Sequence, residues 1–202
     1  MFFDVPFSLI LASASPRRQE LLRQARIPFT VDAADVDETC GLPAEEAVSE
    51  LSRRKAEASL KKHPGAFILA ADTLVTVDGR SLGKPASPAE ARAMLRLLSG
   101  RTHAVCTGVT VVNPEGVFFT ETDVSHVTFD PMTEAETDAY VATGEPLDKA
   151  GAYAIQGQAA LWIRRMEGSP SGVIGLPLDL VRRLLIKAGY PLFSVAEGTV
   201  AP

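Results

Sequence analysis

The chain is poor in the residues that staple or metallate a protein. It has two cysteines, Cys40 and Cys106, and three histidines among 202 residues. The cysteines lack zinc-ligand spacing, so they read as ordinary thiols of a reducing compartment rather than as a disulfide framework. His63, His103 and His126 form no zinc pattern either. His63, beside Pro64, reads as loop surface, and the other two as strand residues. No apolar run is long enough to span a membrane. Ala12-Ser13-Ala14 superficially resembles a signal-peptidase site. Nothing before it is basic, Asp4 and Pro6 interrupt, and the apolar stretch is short. An N-terminal strand is the better reading, and a cytoplasmic protein the expectation.

Familiar catalytic and binding loops are missing too. Neither Gly-x-x-x-x-Gly-Lys-Ser/Thr nor Gly-x-Gly-x-x-Gly occurs, which excludes the common nucleotide-binding loops. The absence of Gly-x-Ser-x-Gly weakens a serine-hydrolase reading. The net charge is −5, with no strongly basic block, so a general nucleic-acid surface is not expected. What remains is arginine and lysine for phosphate, with aspartate and glutamate for a hard cation or a proton.

At 46% hydrophobic residues the chain can bury a full core. Strand-like and helix-like stretches alternate. Leu9–Ala12 predicts a strand, Pro16–Arg26 a helix, Phe29–Ala33 a short strand, and Ala44–Lys62 a long amphipathic helix. Phe67–Ala71 and Thr73–Val77 read as strands up to an Asp78-Gly79 turn. Ser87-Pro88-Ala89-Glu90 opens a helix that runs to about Gly100. Val105–Val112 and Val117–Phe129 form an antiparallel pair, and a capping box from Thr133 to Glu136 starts a helix ending near Gly144. A glycine-rich loop from Gly144 to Gly157, a strand over Leu161–Met166 and a helix from about Leu176 to Gly189 complete the pattern; the tail after Pro191 reads as loose. The fold class is α/β, a mixed central sheet flanked by helices.

Against this background Ser13-Ala14-Ser15-Pro16-Arg17-Arg18 is the most informative segment. Ser15 caps a helix that begins at Pro16. Two arginines in its first turn oppose the helix dipole, unless an anion sits there. A capped surface helix with solvated arginines is the plain alternative. Asp72 ends a run, Phe67 to Ala71, that belongs in a core; it reads as a cap, as a salt-bridge partner, or as a working group beside a cleft. Glu38 lies in an acidic loop and, by itself, reads as solvated charge. Lys84 lies in a loop before a helix. Lys55, within the long helix, reads from its spacing as a surface charge. Gln156, among small residues that allow close backbone approach, could read a base edge or tie down its loop.

Together these segments resemble the Maf family of nucleoside triphosphate pyrophosphatases, also called septum-formation proteins. The resemblance runs from about Leu9 to Ala188. It rests on Ser13-Ala14-Ser15-Pro16-Arg17-Arg18, Ala71-Asp72-Thr73, Gly83-Lys84-Pro85, Ser99-Gly100-Arg101-Thr102-His103, Gly144-Glu145-Pro146, Lys149-Ala150-Gly151-Ala152-Tyr153, Ile155-Gln156-Gly157 and Gly175-Leu176-Pro177. Each is weak alone; in this order they are highly specific. The resemblance implies one Maf-like domain over residues 1–202, with two lobes around a deep cleft, similar to inosine triphosphate pyrophosphatases. It implies cleavage of a nucleoside triphosphate to the monophosphate and pyrophosphate, and a homodimer. The family's catalytic aspartate falls on Asp72. Its phosphate-binding residues fall on Arg17 and Arg18, with Ser13 and Ser15 nearby, and its cleft glutamate and two lysines on Glu38, Lys55 and Lys84. A Mg²⁺ or Mn²⁺ held by Glu38 and Asp72 is expected.

Subgroups of the family differ at three places. One resembles Ser-Pro-Arg, Asp-Thr and Ile-Gln-Gly and acts on dTTP and UTP; another has Trp after Ser-Pro, Asp-Gln and a late Glu, and acts on 7-methyl-GTP. Arg17, Thr73 and Gln156 place this chain with the dTTP/UTP type, and those three are the expected specificity residues. The alternatives are the 7-methyl-GTP activity and a non-catalytic nucleotide sensor in cell-division control. Ser171-Gly172 departs from many relatives, which carry a bulkier polar residue there.

Overall fold

The computed structural model describes residues 8–193. The first strand, β1 (Leu9–Leu11), is apolar and wholly buried, and pairs in parallel with β2 (Thr30–Val31) on one side and β3 (Phe67–Val77) on the other. Helix α1 (Pro16–Gln24) carries the chain from β1 to β2, and α2 (Ala44–Lys62) carries it back across β1 to β3. Neighbouring strands thus leave β1 in opposite directions. That is a topological switch point, and it opens a crevice at the carboxyl end of β1.

A short hairpin strand, β4 (Arg80–Leu82), folds back on β3 through the Asp78-Gly79 turn, where both residues have positive φ. Helix α3 (Pro88–Leu98) follows, then the long antiparallel pair β5 (Thr102–Val112) and β6 (Phe118–Phe129), then α4 (Glu134–Ala142) with the expected capping box. Two 3₁₀ turns occupy the glycine-rich stretch and a third follows it, before β7 (Ile163–Glu167), α5 (Pro170–Ile174) and α6 (Leu178–Lys187). The sheet order is β2-β1-β3-β5-β6-β7, with β4 added to β3. The predicted mixed sheet flanked by helices is therefore observed.

Several details differ from the sequence reading. Phe67–Val77 continues through Asp72 without a break, because Asp72 stays in register with Gly108 of β5. Phe29–Ala33 shrinks to a two-residue bridge. The short elements β4 and α5 were not anticipated, being too brief for periodicity to show. Yet α5 begins with a capped Ser169-Pro170, as α1 and α3 begin with Ser15-Pro16 and Ser87-Pro88. Tyr190 and Leu192 are buried in the core, Tyr190 edge-on to Phe67, so the chain stays packed past Pro191. The rest of the expected loose tail lies outside the described residues. His63 is not plain loop surface: it closes α2, and its Nε2 lies 2.6 Å from Asp32 Oδ2.

Side chains alternate along β3, and its two faces meet different layers. On one face Leu69 and Ala71 join α1 and α6 in one cluster and, further along the strand, Val75 and Val77 join α3 and α4 in another. Ile68 and Ala70 face α2. Two cores are thus strung along the same strands, with Asp72 and Thr73 between them, Asp72 on the α2 face and Thr73 on the other.

One glycine sets how closely α2 lies on the sheet. A Cβ on Gly108 would stand 2.2 Å from the Val48 carbonyl oxygen and 2.4 Å from its carbon. Both are backbone atoms and cannot swing away. Gly108→Ala is therefore expected to destabilise the fold by about 3 kcal/mol. A urea midpoint equal to that of the parent protein would contradict this packing.

Candidate active site

The site forms where β3 loses a neighbour. On one edge, β1 pairs as far as Leu11 with Leu69, and β4 begins at Leu82 with Val75. Between these pairs the edge of β3 over Ala70–Leu74 has no strand partner, so side chains from both faces of the sheet can reach one opening. A cleft of about 730 Å³ lies there, and every site residue predicted from sequence lines it: Ser13, Ser15, Arg17, Arg18, Glu38, Lys55, Asp72, Thr73, Lys84 and Gln156.

On the α2 face, Lys55 is not the surface charge its spacing implied. It is 8% exposed, and its ammonium lies 2.6 Å from Asp72 Oδ1 and 2.6 Å from Glu38 Oε1. Glu38, mostly exposed, reaches in from the loop after β2. The hydrogen bond from Lys55, aided by the charges of Lys55 and Lys84, holds the Glu38 carboxyl below its ordinary range. Asp72 Oδ2 accepts no hydrogen bond among the described residues, so it is the open oxygen of the cluster.

On the opposite face, Arg18 is gripped at three nitrogens. Nε donates to Gly175 O at 2.8 Å, one terminal nitrogen to Ser13 Oγ at 3.0 Å, and the other to Thr73 Oγ1 at 3.1 Å. Gly175 has φ +123°, where a side chain would be strained, and a Cβ there would also crowd Thr73. Burial pushes Arg18 below the usual guanidinium value, and the charge of Asp72 opposes that shift. Thr107 Oγ1 donates to Gly172 O at 2.9 Å and sits 3.0 Å from Thr73 Oγ1. A hydroxyl has one proton, so Thr73 must donate to Thr107 and accept from Arg18. Thr73 thus accepts from the arginine and is itself oriented by its donation to Thr107.

The remaining predicted residues are held more loosely. Ser15 caps α1, accepting Arg18 N–H at 3.5 Å, and Arg17 meets the exposed Asp148 at 3.5 Å. Lys84 has no carboxylate within 4 Å among the described residues; its loop is pinned where Gly151 N–H donates to Gly83 O at 3.1 Å. The Gln156 side chain is exposed on the cleft wall and makes no hydrogen bond among the described residues. At Gly172 a Cβ would lie 2.5 Å from Asp123 Oδ2, so a larger residue there would require that carboxylate to turn away.

Sequence reasoning missed three contributors. Thr107 gave no signal, being one threonine in a strand. Lys149 and Tyr153 stood within a motif without a role. Lys149 Nζ donates to Glu145 O at 2.9 Å, and Tyr153 forms part of the wall with its hydroxyl 2.8 Å from His103 Nε2.

A divalent cation can be tested against these donors. Among the described residues no cluster of three or more His, Cys, Asp or Glu forms a cage. Two carboxylates, Asp72 and Glu38, border the opening. That donor set fits Mg²⁺, which takes one or two carboxylates and fills its shell with water and phosphate oxygens.

A switch-point crevice lined by guanidinium and ammonium groups defines the class: an α/β protein whose cleft is built of phosphate-type donors. The chain belongs to the Maf family, for the family model described as Maf-like protein matches residues 8–188. It is 50% identical over 197 residues to a protein of Symbiobacterium thermophilum named dTTP/UTP pyrophosphatase, covering 94% of this chain and 98% of that one. A Myxococcus xanthus protein of the same name is 52% identical over 188 residues, covering 91% and 94%. Among solved structures, the Staphylococcus aureus Ham1 protein aligns with TM-score 0.53 at 18% identity, over 89% of this chain and 98% of that one. A HAM1 protein from Coxiella burnetii gives 0.50 at 17%, over 90% and 99%. These two likenesses concern the fold alone and bear out the expected α/β architecture. Among the described residues no helix is long and apolar enough to cross a membrane.

The wall behind Tyr153 carries a pH dependence. His103 is 2% exposed, and burial, with a smaller effect from His126, pushes it down to about 4. The unfolded chain, titrating near 6.5, binds more protons than the folded one between those values. Stability is therefore unaffected by His103 above pH 6.5 and falls as pH drops toward 4, by about 3 kcal/mol in all. Urea unfolding of wild type and His103→Gln at pH 7.5 and 5.0 checks this: the variant should show the shallower acid loss. Equal losses would mean that His103 does not titrate in this way.

Proposed function

We propose that the protein hydrolyses nucleoside triphosphates, dTTP and UTP foremost, to the nucleoside monophosphate and pyrophosphate. The observation that carries this reading is the Asp72–Lys55–Glu38 cluster facing the half-buried Arg18 across the gap in the β3 edge. It sets a carboxylate with one open oxygen beside groups suited to phosphate. The names of the Symbiobacterium and Myxococcus relatives support the substrate class.

In this mechanism the triphosphate lies along the arginine–lysine wall. Ser13 and Ser15 flank the turn, and Arg17, Arg18, Lys55 and Lys84 neutralise charge that builds on the departing pyrophosphate. Asp72 Oδ2 takes a proton from a water as that water's oxygen bonds to the α-phosphorus. The bond from the α-phosphorus to the bridging oxygen breaks, and its electron pair leaves with pyrophosphate. Glu38 and Asp72 would hold the Mg²⁺ or Mn²⁺ together with substrate oxygens; such a cation, when bound, draws charge from the phosphates. Gln156 offers an amide whose donor and acceptor match the carbonyl and N–H edge of uracil or thymine. Thr73 affects substrate choice through Arg18, whose guanidinium it helps to hold.

The test is a panel of nucleoside triphosphates with Mg²⁺, read by pyrophosphate release from wild type and Asp72→Asn. Asparagine keeps an acceptor for Lys55, whose ammonium still pairs with Glu38, but removes the base, so turnover should fall about 100- to 10,000-fold in a protein that still folds cooperatively. Turnover within a few-fold of wild type would remove Asp72 from the role of base. Binding without pyrophosphate release in the wild type would point to a sensor instead.

A further inference from the structure

The 144–158 stretch carries Gln156 on the cleft wall, yet its shape depends on two side chains that do not line the cleft. Glu145 Oε1 accepts the Tyr140 hydroxyl at 2.7 Å, and the two carboxylate oxygens lie 3.1 and 3.2 Å from Gln158 N, sharing its N–H. The Tyr140 oxygen in turn accepts Ala154 N–H at 3.2 Å. Backbone on both sides of Gln156 is therefore tied to one Glu–Tyr pair. The pair is itself anchored: the Tyr140 side chain is 1% exposed, and Glu145 N–H donates to Thr143 Oγ1 at 3.1 Å at the end of α4.

The residue type at position 157 suits the same arrangement. Its φ of −119° is open to any residue, so no turn demands glycine there. A Cβ would stand 2.2 Å from Glu145 Oε1 and 2.3 Å from the carboxyl carbon. The glycine admits the carboxylate. A hydrogen-bonded carboxylate pressed against the backbone beside an uncommitted glutamine amide is a device for aiming that amide.

We propose that Glu145 and Tyr140 are positioning residues for Gln156, fixing backbone 154–158 so that its amide meets the base of the nucleotide and selects a pyrimidine over a purine. This rests on the reading of Gln156 as the base-recognising side chain. Neither residue touches substrate; both act through the loop. Loss of either tether lets the amide wander, which weakens binding of the matched base and leaves a mismatched one nearly unaffected.

The test compares kcat/KM for UTP and GTP, by pyrophosphate release, in Tyr140→Phe, Glu145→Ala, Glu145→Gln and Gln156→Ala, and in Glu145→Ala combined with Gln156→Ala. Tyr140→Phe and Glu145→Ala should each lower the UTP-over-GTP ratio roughly tenfold, mainly through KM for UTP, as expected for one weakened hydrogen bond to the base. Glu145→Gln keeps a carbonyl acceptor and should recover much of the ratio. In the Gln156→Ala background Glu145→Ala should have no further effect on selectivity, because the group it aims is gone. An equal fall for both nucleotides, or an undiminished effect in that background, would overturn the positioning role. If Gln156→Ala leaves the ratio unchanged, the base-reading assignment fails and takes this inference with it. Lost selectivity in Gln156→Ala alone, with Glu145→Ala and Tyr140→Phe like wild type, overturns only the positioning. Should Glu145→Ala fold poorly, Tyr140→Phe, which keeps the buried ring, decides the matter by the same criteria.

Discussion

The Lys55–Asp72 ion pair is the contact on which the rest of the cleft depends, and it is an expensive one. Removing an ammonium and a carboxylate from water costs several kcal/mol per ion, recovered only where geometry and further partners are good. Here two carboxylates share one ammonium, each at 2.6 Å, which leaves surplus negative charge. Arg18, desolvated on the other face, supplies the balancing field through Asp72. Each charge is tolerable only because the next is present. A hydrophobic pair of similar volume would hold α2 to the sheet at least as well. The cluster is thus weak evidence of stabilisation and better evidence of chemistry.

Backbone geometry decides where that cluster can exist. Asp72 is the register partner of Gly108, and directly opposed residues point to the same face. The glycine that admits the α2 backbone therefore sits beside the carboxylate that Lys55 must reach. Two turns of helix separate Val48, which rests on Gly108, from Lys55. The absence of a partner on the β3 edge over Ala70–Leu74 then lets Thr73, pointing the other way, serve the same opening. A cleft assembled from both faces of one strand requires such a gap, and the switch point at β1 supplies it.

Much of this was legible in the sequence where the causes are local. The Ser-Pro starts of α1 and α3, the capping box of α4 and the extent of α2 follow from hydrogen bonds and periodicity within a few residues. The ten residues carried over by resemblance all line one cleft. Causes that act across the fold were not legible. Lys55 looks like a surface lysine because a helical wheel contains no information about Asp72, 17 positions away. Thr107 is invisible for the same reason, since its partner Gly172 is 65 positions distant. Glu145 is one letter of the Gly144-Glu145-Pro146 motif and shows no role until the closeness of Gly157 is known.

The two adjacent arginines show how tertiary structure resolves a local conflict. In sequence both oppose the dipole of α1 equally. In the fold Arg18 leaves the helix start, since all three of its donor groups turn to Gly175, Ser13 and Thr73, so its charge is fixed in direction and largely removed from solvent. Arg17 keeps a third of its surface and a long contact to an exposed Asp148. An exposed pair of that kind is worth at most about 1 kcal/mol and is readily exchanged. The Arg17 backbone N–H also has no partner among the described residues. One arginine is thus built into the wall, while its neighbour and the helix end remain able to meet an incoming anion, a division of labour that identical residue types at consecutive positions do not disclose.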